Sequence, residues 1–423
     1  MKLHKSDLLP AVKHSRDQPY AIAAFFALFP GFFFYHTLLG TGTTGAFLGG
    51  YFSPVSLLFT LPLTAILFRR YRRIPRQISR IELYYGGFLA YFLTIVALNS
   101  IAGANRAIVI NHLLCILFMI NTFVIFSVID FSSVGFRLAA FAALASMSCI
   151  AFSYSVNGVF YLGALGIAKD SDSLATYQGF ARSYLVTFLP FVAFTRSILL
   201  RLTLYGFAIA TLFINTARSE FVALLFIIPI IEFYFSRHKL WFLLFVMILC
   251  VWLNVYTDQL IAAVPDNRIL ELLDLSHSTS ANKRHHLSVH AMQTIAAHPL
   301  LGDYASYAPG YYSHNILSAW VDLGLFGFSY IIAILILPGI PMFLREYFAN
   351  RHSGNFILGF SLMCCTALLL LTSHYFTDML IGATIGIYAQ YQYGKKYGKH
   401  RTSDLGTSAQ RHPDIRQAVP HHG

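Results

Sequence analysis

Apolar residues fall along this chain in blocks of about twenty, and polar residues crowd into the gaps between them. A helix that crosses a bilayer needs about 20 mostly apolar residues. The blocks lack the alternation over some ten residues that marks a strand of a membrane barrel. The pattern predicts spans near 20–40, 48–68, 82–104, 107–129, 138–160, 183–200, 202–216, 221–236, 240–256, 315–343, 355–373 and 377–393, twelve in all. The expected organisation is nine transmembrane helices within 1–256, a loop region over 257–313, three more helices within 314–394, and a disordered cytoplasmic tail over 395–423. The fold class is therefore an all-α polytopic membrane protein.

Composition agrees with the pattern. Hydrophobic residues make up 57% of the 423 and charged residues only 11%, against roughly 25% charged in a soluble domain. The net charge of +12 would suggest a nucleic-acid partner in a soluble protein. Here the cations gather in short gaps such as Arg69-Arg70-Tyr71-Arg72-Arg73, as the positive-inside rule requires, so no nucleic acid is expected. With both termini placed in the cytoplasm, 23 of the 30 Lys and Arg lie on that side. The other seven are Arg106, Lys169, Arg182, Arg218, Arg268, Lys283 and Arg284. The first span has no small-residue cleavage site behind a short apolar core and reads as a retained anchor. All five cysteines lie in apolar runs and read as small core residues. Gly-rich pieces such as Gly40–Gly50 read as turns or helix-packing glycines.

Cations on the outer face run against the charge bias, so each needs a reason. Arg218, between two spans and beside Ser219 and Glu220, reads either as a snorkelling arginine paired locally with Glu220 or as an anion clamp, since guanidinium matches phosphate oxygens with a planar fork. Arg284 opens an amphipathic helix expected to end before Pro299. It sits either on a solvated face or beside Arg218 on one pyrophosphate. His314 follows a turn-rich segment (Tyr304, Tyr307, Pro309, Gly310, Tyr311, Tyr312). A structural histidine is one reading; the other is a proton acceptor, given its unperturbed pKa near 6.5. Asp378, at the mouth of the last span, is a partner for that site or a helix cap. His285, His286, His290 and His298 match no metal-site spacing, so no metal and no cofactor are assigned.

Four pieces together resemble the O-antigen polymerase and O-antigen ligase superfamily of bacterial envelope glycosyltransferases. Thr216-Ala217-Arg218-Ser219 resembles its Ser/Thr–Arg–Ser signature. Arg284 followed by His298-Pro299-Leu300-Leu301-Gly302 resembles its Arg…His-Pro-Leu-Leu-Gly segment. His314-Asn315 with Gly324 and Gly327 resembles its His-Asn…Gly-x-x-Gly span, and Asp378 lies near where the family's ligases carry an acidic residue in the last outer loop. Eight residues separate Asn315 from Gly324, one fewer than in the ligase pattern.

The resemblance implies a GT-C-like bundle in the bacterial inner membrane with its active site facing the periplasm. It implies an inverting, metal-independent transfer from an undecaprenyl-diphosphate-linked glycan donor to a sugar hydroxyl. His314 and Asp378 would be catalytic, Arg218 and Arg284 would bind pyrophosphate, and Asn315, Gly324 and Gly327 would support them. The acceptor would be a lipid-linked glycan in a polymerase, the preferred subtype, or lipid A core in a ligase. Membrane lipids and a chain-length regulator complete the partners under consideration. A transporter or flippase is the rival class; its signature would be mid-span ionisable residues, of which Asp322 is the main example here.

Overall fold

The computed structural model describes residues 17–45, 50–73, 79–160, 177–256, 259, 269, 279–308, 311–348 and 353–409. The protein is a helical membrane protein. Among the described residues, eight helical segments are long and apolar enough to cross a bilayer.

The bundle helices are α1 (Gln18–Leu28), α2 (Pro30–Gly40), α3 (Phe52–Arg73), α4 (Arg80–Ile101), α5 (Arg106–Val128), α6 (Val134–Ser153), α7 (Tyr177–Ala193), α8 (Ile198–Asn215), α9 (Arg218–Phe235) and α10 (Lys239–Val255). After the large loop come α11 (Thr279–Ala297), α12 (Leu317–Pro341) with a π-helical turn at Met342–Tyr347, α13 (Gly354–Thr372) and α14 (Leu380–Ala409). The eight segments comprise α1 with α2, then α3, α4, α5, α6, α8, α12 with its π-turn, and α13. Helices α7, α9, α10 and α14 overlap the remaining expected spans but are not among the eight. α7 and α10 are 17 residues long, and α9 carries Arg218, Glu220 and Glu232.

Several boundaries follow from local chemistry. The first span divides at Pro30, which has no N–H to continue the ladder and starts α2 at its first turn. α4 begins with a reciprocal capping box: Glu82 N donates to Ser79 Oγ and Ser79 N to the Glu82 carboxylate. α6 begins at Val134, ahead of the expected 138, because Ser133 accepts from Phe136 N and fixes the first turn there. α14 continues to Ala409, into the segment expected to be disordered; residues 410–423 lie outside the described residues. Most of the expected loop over 257–278 also lies outside them.

One charge that enters the apolar interior is closely paired. Arg201, expected to lie between two spans, is buried inside α8 and forks onto Glu232 of α9, with Nη2 2.9 Å from Oε2. Tyr205 donates to the same carboxylate at 2.7 Å, and the Thr195 and Arg196 carbonyls take up Nη1. This near-complete satisfaction is what a low-dielectric site demands of an ion pair. α14 lies along α5, held by Gln390 donating to the Ile129 carbonyl and Thr122 to that of Met379. α10 is the least packed helix. Leu240 is 81% exposed and Trp241 72%, as suits a face turned to lipid. All five cysteines are free. The expected core role fails for Cys149 and Cys250, which are exposed on outward helix faces.

Candidate active site

Two turns and three helix starts converge at one end of the bundle. The first turn is His298–Gly302, which docks on a break in α12. Gly324 there has φ +69° and ψ −176°, a conformation open essentially to glycine alone. The two segments exchange backbone hydrogen bonds: Asp303 N donates to the Val321 carbonyl at 2.7 Å, and Leu325 N to that of Leu300 at 3.1 Å. In an unbroken helix Leu325 N would instead meet Val321. The approach leaves no room for side chains. A Cβ on Gly302 would lie 2.7 Å from the Trp320 carbonyl oxygen, and one on Gly324 2.7 Å from the Leu301 carbonyl carbon. Gly327 faces Tyr91, whose hydroxyl donates to the Leu323 carbonyl at 2.7 Å.

The second turn carries His314. Asn315 Oδ1 accepts from Ser313 Oγ (2.7 Å) and Leu317 N (3.0 Å), so Asn315 caps α12 from within the turn. Ser318 Oγ donates to the Asn315 carbonyl and accepts from Phe376 N, tying the turn to the α13–α14 connection. α11 packs on α12 through Ala291, Ile295, Tyr307 and Val321. That packing places Arg284, in the described part of α11, where it acts electrostatically on both His314 and Tyr312.

Behind this turn lies a buried charge network. Asp378 Oδ2 is 3.0 Å from Arg182 Nη2 on α7 and 2.7 Å from His374 Nδ1. His374 Nε2 is 3.2 Å from Glu220 Oε1 in the first turn of α9. Asp378 Oδ1 meanwhile accepts from Leu380 N at 2.8 Å. The cap and the charge partner, alternatives in the sequence, are thus two oxygens of one carboxylate. Thr216, left-handed at φ +61°, makes the tight α8–α9 turn that sets Glu220 facing His374 and begins α9 at Arg218. α9 opens without a side-chain cap at Ala217, and a helix start is an end that favours anions.

The histidines are driven in opposite directions. Burial lowers the pKa of His314, and the nearby Arg284 charge lowers it further, against its donation to the Ser373 backbone. Burial alone would lower His374 too, but the Asp378 charge with the hydrogen bonds to Asp378 and Glu220 together outweigh it, and the net shift is upward. For Asp378, burial would favour the acid, yet Arg182 and His374 hold it well below the usual carboxylate range. The site therefore pairs a histidine shifted toward its neutral form with one shifted toward its cationic form, the separation of roles expected of an acid–base site. The Nδ1 of His314 is buried and has no hydrogen-bond partner among the described residues. Its ring lies 4.4 Å from that of Tyr312, centroid to centroid, and Tyr312 is 4.9 Å from Tyr375.

Tyr375 leads into a second polar chain, within the bundle. Its hydroxyl donates to buried Asp322 on α12, whose other oxygen accepts from Ala305 N at 2.9 Å. His112 of α5 joins Tyr375 at 3.1 Å through Nε2 and Tyr304 at 2.8 Å through Nδ1.

The structure thus gathers His314, Arg284 and Asp378 around Tyr312, with Asn315, Gly324 and Gly327 in scaffolding positions. Arg218 is half-buried on the helix turn that carries Glu220. Sequence reasoning missed Arg182, His374 and Tyr312 as site members and gave Glu220 only a local role. Two signals were available: Arg182 is one of the seven cations against the charge bias, and His374 stands four residues before Asp378. Among the described residues no group of three or more metal-ligating side chains is assembled. No model of a known protein family and no curated relative matches the chain.

Proposed function

We propose that this protein is a membrane glycosyltransferase. It moves a glycan from an undecaprenyl-diphosphate carrier to a sugar hydroxyl at the periplasmic face of the bacterial inner membrane, joining repeat units of a surface polysaccharide. The observation that carries the reading is the buried, unpartnered Nδ1 of His314 beside Arg284 and the Arg182–Asp378–His374–Glu220 network.

In this reading the acceptor hydroxyl oxygen bonds to the anomeric carbon on the face opposite the diphosphate, and its proton passes to His314. The carbon–oxygen bond to the diphosphate breaks, the electron pair leaves with the diphosphate, and the configuration inverts. Arg284 and Arg218, with the α9 amides, meet the charge that grows on the leaving group. Asp378 holds Arg182 and His374 in place behind His314 through its contacts to both. The donor linkage is already activated, so no nucleotide is consumed. The bundle in this reading has twelve spans and a GT-C-like plan.

Transfer of finished polymer to lipid A core is the alternative within the same chemistry. Deleting the gene in its host and resolving the envelope polysaccharides on a gel separates the two. Core capped with one repeat unit, or loss of a capsule or secreted polymer, supports polymerase; uncapped core with polymer stranded on the carrier supports ligase. Unchanged polysaccharides of every kind would refute both. One observation favours transport instead, namely the intramembrane Asp322–Tyr375–His112–Tyr304 chain. Proton flux through vesicles that persists after His314→Ala would support that second reading.

A further inference from the structure

We infer that the His298–Gly302 turn is a re-entrant membrane element, with Leu300 and Leu301 in contact with the acyl chains of the leaflet on the side where α12 begins. The inference does not depend on the enzymatic reading.

Depth comes first. The turn meets α12 at Gly324, beside Leu323, whose carbonyl accepts from Tyr91 of α4; Phe326 meets the same tyrosine edge to face with ring centroids 4.9 Å apart. Tyr91 lies in the middle of α4, ten residues before its end at Ile101, or about 15 Å along a helix rising ~1.5 Å per residue. That outer half of α4 carries lipid-type surface to its tip: Leu98 is 59% exposed and Ile101 85%. A turn level with Tyr91 therefore lies well inside the apolar belt that α4 defines.

The chemistry of the turn matches that depth. Leu300 and Leu301 are 70% and 86% exposed, and Leu325 and Phe326 are exposed beside them on α12. Four leucine and phenylalanine side chains bared together would be a liability in water and are ordinary against lipid. Non-helical backbone is tolerated in hydrocarbon only where its polar groups are paired within the protein. Here the Leu300 carbonyl accepts from Leu325 N, Gly302 N donates to the His298 carbonyl, Asp303 N donates to that of Val321, and Trp320 Nε1 donates to the Pro299 carbonyl at 2.7 Å. The Leu325 amide and the Val321 carbonyl, both released by the break at Gly324, are satisfied by the turn. Each irregular segment thus supplies what the other lacks.

The test uses the full chain reconstituted in phosphatidylcholine vesicles, with Leu301→Cys and, separately, Leu300→Cys read against the wild-type background of five cysteines. His285→Cys, on the exposed face of α11, is the aqueous control. An impermeant maleimide should modify Cys at 301 at least about tenfold more slowly than Cys at 285, because the reactive thiolate is suppressed in hydrocarbon. A bimane placed at 300 or 301 from the detergent-solubilised protein should be quenched by acyl-chain spin labels and not by iodide. Modification as fast as at 285 with quenching by iodide would overturn the inference. So would shielding from both quenchers, which would mean that a protein surface covers the turn.

Discussion

Replacing Gly324 by alanine should dismantle the junction on which the site is hung. The new methyl would fall 2.7 Å from the Leu301 carbonyl carbon and 2.9 Å from its Cα, and these are backbone atoms that cannot rotate away. A residue with a Cβ at φ +69°, ψ −176° carries strain of about 1–3 kcal/mol. Losing the Leu325–Leu300 and Asp303–Val321 hydrogen bonds adds about 1 kcal/mol each. The total is about 3–5 kcal/mol, a fall of roughly 6–10 °C in the unfolding midpoint at the ~2 °C per kcal/mol of larger domains. Thermal unfolding in detergent, followed by intrinsic fluorescence, reads this directly. Gly302→Ala, which meets the same surface from the other side, should cost a similar amount, and the double variant much less than the sum, since the clasp can be broken only once. Gly206→Ala, with open space around it in the middle of α8, should be neutral or stabilising by about 0.5–1 kcal/mol. A Gly324→Ala midpoint equal to wild type, or strict additivity with Gly302→Ala, would refute the junction.

Arg218→Ala, Arg284→Ala and His314→Ala should each abolish transfer while expression and membrane insertion stay near normal, and Arg218→Lys should restore little where a planar fork is needed; immunoblots of membranes beside polysaccharide gels check this. Because the His314 pKa is lowered, the neutral base persists below pH 6.5, so the acid limb of kcat/KM should have its midpoint below that value. A midpoint at or above 6.5 would remove His314 as the base. For His374 the folded pKa is raised, so its stabilisation is fully present below about 6.5, the unfolded value, and is lost as pH rises through the folded pKa. The midpoint difference between wild type and His374→Gln should therefore shrink from pH 6 toward pH 9, as thermal unfolding across that range would show.

The helices were legible because length and apolarity are local properties. The junction between the two turns was half legible. Gly302 and Gly324 stood out as residues, but nothing local said that each occupies the space the other leaves. Arg182, His374 and Glu220 were least legible as a unit. His374 lies 192 residues from Arg182 and 154 from Glu220, and their meeting depends on how α7, α9 and the α13–α14 connection pack. Arg201 illustrates the converse error. Its charge suggested a gap between spans, yet Glu232, 31 residues away, lets it sit inside a helix. A charge marks a membrane boundary only if no partner waits within, and a single sequence does not show the partner.

The most direct test of the proposed reaction uses purified protein in liposomes with a radiolabelled, undecaprenyl-diphosphate-linked repeat unit. Products longer than one repeat, formed with stoichiometric release of undecaprenyl diphosphate in wild type and absent in His314→Ala, are the predicted result. Wild-type transfer that survives unchanged in His314→Ala, or the absence of any carrier release from a repeat unit native to the host, would contradict it.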